Sequence, residues 1–265
     1  MIPSFVINLD DRIHRWEKFK NLKYKIERIS AEDTRCDSIL CLQKYNLSLL
    51  PSDKLTKYYF RNSKGAIGCY LSHYRFWKHI VDKKIEKAIV FEDDALTTDV
   101  SKLLDNHDLF NDLDSKSPVL IQFNKRTTQE KLPFWFNGTE SYAVNLAAAN
   151  SLIELTHDFS YMKGYKIEYL YDVLRTGVRK QDLENHWRSH DRNIDYETKN
   201  CIRYAADKFI GYCSHYAIPY DKRINILIKP QVGLYTNNVE SDVNLNSKNW
   251  YDMSLTEILE VTQDL

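Results

Sequence analysis

The sequence is poor in residues that break, staple or repeat a chain. Its 265 residues include only 7 glycines, 6 prolines and 3 methionines. That scarcity excludes a collagen-like repeat and long low-complexity linkers. The five cysteines (Cys36, Cys41, Cys69, Cys201, Cys213) are odd in number and contain no CxxC pair. They offer neither a zinc-binding spacing nor a disulfide framework, and so point to a reducing, cytoplasmic compartment. On that ground the sequons at Asn46 and Asn137 read as chance. Net charge is also missing: 37 basic residues balance 37 acidic ones, which argues against nucleic-acid binding through a general electrostatic field. No apolar run approaches the roughly 18 residues of a membrane span. The opening "MIPSFVINLDDR" lacks the basic and long apolar regions of a signal peptide and already reads as a strand.

What is present is an ordinary globular composition, 43% hydrophobic and 28% charged, long enough for one large domain or two small ones. "SFVINL" (4–9) is a short apolar strand. Asp10 and Asp11 follow as candidate N-caps for a helix carrying Ile13, Trp16 and Phe19. "YKIERISA" (24–31) completes a βαβ-like unit. Residues 32–62 are polar and irregular. "GAIGCYLSHYRFWKHIVDKK" (65–84) predicts a helix with Ile67, Tyr70, Leu71, Tyr74, Trp77 and Val81 on one face. Further strands are expected in "AIVF" (88–91), "PVLIQFN" (118–124) and "SYAVNL" (141–146), the last leading into an alanine-rich helix to about Thr156. Residues 155–215 read as a mainly helical insertion, with an amphipathic helix marked by Ile202, Ala205, Ala206, Phe209 and Ile210. "HYAIPYD" (215–221), "RINILIK" (223–229) and "QVGLYT" (231–236) are strand-like, and a short helix is expected at 254–261. The alternation predicts an α/β fold, a mostly parallel sheet with helices on both faces.

The chemistry concentrates in "KAIVFEDDALTT" (87–98). Ala88 to Phe91 form the fully apolar run of a strand covered on both faces. Glu92, Asp93 and Asp94 then stand where the strand ends. In open α/β sheets ligands bind beyond the carboxyl ends of the strands. Glu92 and Asp94, two apart, point to one side of an extended backbone. Two converging carboxylates suit a hard divalent cation, Mn²⁺ or Mg²⁺; a solvated turn capping the next helix is the alternative. A phosphoaspartyl receiver would need an aspartate ending a later strand, but "PVLIQFNK" ends in Asn124 and Lys125. A haloacid-dehalogenase-type phosphatase would need Asp where Glu92 stands.

Three segments, "VINLDDRIHRW", "GAIGCYLSHYRFWK" and "IVFEDDA", resemble glycosyltransferase family 25 in order and spacing. The family includes lipopolysaccharide glycosyltransferases and collagen galactosyltransferases. "GTESYAVNLAAANSLI" (138–153) is similar to a further block of it, and "IPYDKRI" and "KPQVGL" are similar more weakly. The resemblance covers about residues 4–155 and 215–242.

The resemblance implies a single GT-A-like domain over 1–265, with 155–215 as an insertion. It also implies a UDP-hexose donor (galactose or glucose), Mn²⁺ with Mg²⁺ as the substitute, and a glycan or hydroxylated protein acceptor. Asp94 becomes the best metal ligand. Glu92 helps the metal or contacts the sugar nucleotide, and Asp93 stands beside them toward the diphosphate. Asn8, Arg12 and Arg15 fall where the family places the donor nucleotide, with solvated arginines as the alternative. Gly65 and Gly68 open the long helix, where missing side chains would admit a ligand to backbone N–H groups or merely serve the turn. Ser72 and His73 lie off the predicted core face and read as site residues, and Cys69 reads as packing. Inversion at the anomeric carbon needs a base on the acceptor side. Asp221, after Pro219, is the expected base although it could simply cap a turn; Asp172 is the next candidate. A catalytically silent member that binds nucleotide or glycan is the alternative function.

Overall fold

The computed structural model describes residues 2–47, 64–125, 138–158, 206–214 and 218–233. Six strands form one sheet: β1 (Ser4–Asn8), β2 (Ile26–Ser30), β3 (Lys87–Glu92), β4 (Val119–Asn124), β5 (Ser141–Asn145) and β6 (Asn225–Val232). Their order across the sheet is β2-β1-β3-β5-β4-β6. β1 pairs parallel with β2 and β3, and β4 pairs parallel with β6. β5 alone runs the other way, antiparallel to both β3 and β4. The sheet is therefore mostly parallel, consistent with a GT-A-like fold.

The inner strands β1, β3, β4 and β5 lack polar alternation because both faces are covered, whereas the edge strands β2 and β6 keep exposed positions. Every residue of β1, β4 and β5 is buried. Alternate side chains feed two different cores. Phe5, Ile7, Ala88, Val90, Leu120, Tyr142 and Val144 pack on one side. Helices α3 (Lys64–Lys83), α5 (Leu146–His157) and α6 (Ala206–Tyr212) cover them. Val6, Ile89, Phe91, Ile121, Phe123 and Ala143 pack on the other side. There they meet α1 (Ile13–Lys20), α4 (Thr97–Asp105) and the 3₁₀ helix His107–Asp114. A short α2 (Ser38–Gln43) lies beside α3.

Local chemistry explains several boundaries. Asn145 N-caps α5: its Oδ1 accepts from the amides of Ala148 at 2.9 Å and Val119 at 3.1 Å. Its Nδ2 donates to the carbonyls of Ser115 and Ser117, so one side chain ties the start of α5 to β4 and to the segment leading into it. Pro230 sits in β6, an edge strand, where a missing N–H is tolerated.

Three expectations need correction. Asp10 and Asp11 do not cap α1, whose N-cap is Arg12 with no side-chain cap bond. Asp10 instead accepts from Ser30 at 2.8 Å and from Arg28, and Asp11 accepts from Arg35 at 2.7 Å. Stronger donors at the end of β2 take these carboxylates. Among the described residues, the three strand-like segments after 215 give one strand: residues 218–222 turn, and 225–232 pair with β4 through an irregular register, while 215–217 and 234–236 lie outside the described residues. Ser72 and His73 are buried, at 2% and 1% exposure, because α3 is enclosed by the sheet and neighbouring helices over most of its circumference. Of the expected insertion, residues 155–158, which close α5, and 206–214 are described, and Phe209 and Ile210 of α6 belong to the main core; the remainder and the helix expected at 254–261 lie outside the described residues.

Candidate active site

A cavity of about 130 Å³ opens at the carboxyl edge of β1, β2 and β3. It is walled by the ends of those strands and by the first half of α3. Nine of the expected site residues line it: Asn8, Arg15, Gly65, Gly68, Ser72, His73, Glu92, Asp93 and Asp94. Arg12 lies beside it in the β1–α1 connection, where its carbonyl accepts from Asn8 Nδ2 at 3.0 Å. Two larger open clefts, of about 500 and 620 Å³, lie along the opposite edge. Neither brings several carboxylates together among the described residues.

Each acid of the triplet has its own setting. Asp93 is buried and turned toward β1, with Oδ2 accepting from Asn8 Nδ2 at 2.7 Å and Oδ1 from Arg15 at 3.3 Å. Burial pushes its pKa above the ordinary carboxylate value, and the Asn8 and Arg15 donors partly offset that rise. Glu92 is only partly buried; its Oε1 accepts from Thr139 Oγ1 and stands 3.1 Å from His73 Nε2. Asp94 sits in the turn after β3, on the cavity wall.

Some expected ligand contacts prove to be internal braces. Asn8 spends its amide on Asp93 and the Arg12 carbonyl and its Oδ1 on Arg28. Ser72 Oγ donates to the Gly68 carbonyl at 2.6 Å and accepts from the Glu32 amide at 2.9 Å. Gly68 has a packing reason: a Cβ there would stand 2.7 Å from Thr34 Oγ1 and 2.9 Å from the Glu32 carbonyl oxygen. The missing side chain lets α3 approach the chain leaving β2.

Asp221 is not brought to this cavity. It is exposed in the turn before β6. Asn225 pairs with Val119, the first residue of β4, and β4 runs parallel to β3. Asp221 therefore stands at the amino edge, across the sheet from Glu92, and its expected role as base is corrected. Asp172 lies outside the described residues.

Other residues of the site were not foreseen. Glu32, two residues past β2, is buried on the cavity wall and accepts from Lys44 at 2.7 Å, from Tyr45 and from Arg75 at 3.4 Å. The strand-end reasoning that found Glu92 applies equally to it. Thr139 and Glu140 reach the same edge because β5 is reversed, so its amino end lies beside the carboxyl ends of its neighbours.

The donor set is compatible with a divalent metal. Glu92 and Asp94 present carboxylates on the cavity wall, as a hard cation such as Mn²⁺ or Mg²⁺ requires. Cys69, His73 and Glu92 also bring one ligand atom each to within 4.8 Å of one another, a mixed set that suits a softer ion.

Residues 1–170 match the family described as "Glycosyltransferase family 25 (LPS biosynthesis protein)". The chain belongs to glycosyltransferase family 25. Human procollagen galactosyltransferase 2 is 31% identical over 113 residues, covering 39% of this chain and 18% of the human protein. A glycosyltransferase 25 family member from Aedes aegypti is 24% identical over 233 residues, covering 80% of this chain and 36% of its own. Mouse inactive glycosyltransferase 25 family member 3 is 30% identical over 95 residues, covering 34% of this chain and 16% of its own. The matches thus span well under two thirds of these relatives. Among the described residues no helix is long and apolar enough to cross a membrane.

Proposed function

We propose that the protein transfers a hexose, galactose or glucose, from a UDP-sugar to a hydroxyl of a glycan or hydroxylated protein. We further propose that transfer depends on a divalent metal, Mn²⁺ first and Mg²⁺ second, and inverts the anomeric carbon. The observation that carries this reading is the gathering of Glu92, Asp93 and Asp94 at the cavity on the carboxyl edge of a family 25 domain. Relatives named for collagen galactosylation and a family described for lipopolysaccharide biosynthesis support the two acceptor classes.

In this reading Asp94 is the principal metal ligand, and Glu92 either completes the metal site or receives a hydroxyl of the donor sugar. Glu92 and Asp94 would hold a cation there, whose charge would stabilise the departing diphosphate. Asp93, held by Asn8 and Arg15, fixes the turn that presents its two neighbours. Arg12 and the first turn of α3 at Gly65 are left to meet the nucleotide. The chain over 155–215 is proposed as an acceptor-side insertion within one domain spanning 1–265, in a cytoplasmic setting.

A relative named inactive makes the silent, nucleotide-binding alternative specific. Both are tested by incubating the purified protein with a panel of UDP-sugars, with and without Mn²⁺, and measuring UDP release. Metal-dependent release from UDP-galactose or UDP-glucose is expected. No release from any donor, with UDP still bound in calorimetry, would establish the silent alternative.

A further inference from the structure

A chain of hydrogen bonds runs from the core to the cavity, and its members can be ordered by what each can donate. Trp77 Nε1–H is a donor only. It lies 2.9 Å from Tyr142 Oη, which must accept. The same oxygen stands 2.8 Å from His73 Nδ1. Tyr142 has one proton, and directing it to Nδ1 makes that nitrogen the acceptor. The imidazole proton then resides on Nε2, which faces Glu92 Oε1 at 3.1 Å. The other neutral tautomer would set a nitrogen lone pair against a carboxylate oxygen. Trp77, Tyr142 and His73 are all fully or nearly fully enclosed, so water does not compete for these bonds.

We propose that His73 is a positioning residue: its Nε2–H, fixed by the Trp77–Tyr142 pair, holds the Glu92 carboxylate in place on the cavity wall. Thr139, from the segment before β5, donates to the same Oε1. The carboxylate is thus clamped by two donors from separate elements, α3 and the entry to β5, with little rotational freedom left. The importance of Glu92 in transfer rests on the glycosyltransferase reading; the wiring itself does not.

The wiring also decides between the two metal sets. For His73 to join Cys69 and Glu92 in holding an ion, the Nε2 proton would have to move to Nδ1. Tyr142 would then lose its acceptor and Glu92 its imidazole donor. A transition metal at this triad and the ordered chain are mutually exclusive, and the chain satisfies every group along it.

The test uses the full-length protein with ¹⁵N-labelled histidine. Long-range ¹H–¹⁵N spectra, with His73 identified by its loss in His73→Gln, should show a single neutral tautomer protonated at Nε2. Adding equimolar Zn²⁺ should leave both nitrogen signals in place. Tyr142→Phe should abolish the single-tautomer pattern. In UDP-galactose turnover with Mn²⁺, His73→Leu should lower kcat by roughly ten- to a hundredfold with UDP affinity unchanged, the usual scale for losing an outer-shell partner. His73→Gln, whose amide can still donate to Glu92, should recover most of that loss. A wild-type Nδ1–H tautomer, displacement of both signals by Zn²⁺, or equal kcat in the Leu and Gln variants would overturn the proposal. Should the wild type turn over no UDP-sugar at all, the transferase reading fails while the spectra still decide the wiring.

Discussion

Asn8 Nδ2 donates to Asp93 Oδ2 at 2.7 Å, joining the ends of two adjacent strands across 85 positions of the chain. The bond draws the middle acid of the triplet inward and leaves its neighbours on the cavity wall. Three like charges are tolerated together because they do not share one environment. Asp93 is surrounded by donors within the protein, while Glu92 is tied to α3 and Asp94 lies in the turn.

The burial of Asp93 gives a pH signature. Burial raises its carboxyl above the ordinary carboxylate range, so the folded protein binds this proton more readily than the unfolded chain does. Stability from this group is therefore present at low pH and lost as pH rises through the raised value. Asp93→Asn removes that slope. Urea midpoints for both proteins, from about pH 3 to 7, should show the wild type losing ground to the variant as pH rises. Parallel profiles would show that Asp93 titrates as an ordinary acid.

Asp94→Asn should abolish Mn²⁺-dependent binding of UDP-galactose in calorimetry. Because Asp94 is a half-buried turn residue, the melting transition should shift by no more than about 1 kcal/mol in stability. Unchanged metal and donor affinity would remove Asp94 from the site.

Gly68→Ala should destabilise the protein by about 1–3 kcal/mol, the scale of overpacking. The new methyl group would meet both Thr34 Oγ1 and the Glu32 carbonyl. Pairing it with Thr34→Ala should restore only part of the loss, since the backbone oxygen remains. Full recovery in the double variant would mean that the side chain alone sets the fit.

Asp221→Asn should transfer sugar at the wild-type rate, as its place at the amino edge requires. A fall of about a hundredfold, the scale of a lost base, would return Asp221 to the mechanism.

Much of the sheet was legible because buried parallel strands are written as unbroken apolar runs. "SFVINL", "AIVF" and "PVLIQFN" are each readable alone to within a residue or so of the observed strands, and the acids following the second marked the ligand edge. Strand direction was not legible. Ser141–Asn145 reads the same either way, and its reversal is decided by pairing with β3 and β4. Ser72 and His73 line the cavity, but their burial was not legible, because a helix enclosed on several sides has no polar face to read from spacing. Asp221 followed a motif rather than a position, and only the register of β6 reveals which edge it occupies. Glu32 was missed although its strand was found, since the residues after β2 lacked the apolar context that made Glu92 conspicuous.

The reversed strand also bears on how such a protein can diverge. The chain leaves β4 at Asn124 and enters β5 at Ser141 on the same edge. The described entry to β5 therefore stands beside Glu92, where Thr139 donates to its Oε1, and an exchange there alters what borders the carboxylate without re-threading the sheet. Position 139 is thus a place where natural variants can differ in how the Glu92 carboxylate is held while Asn8, Asp93 and Arg15 stay as they are.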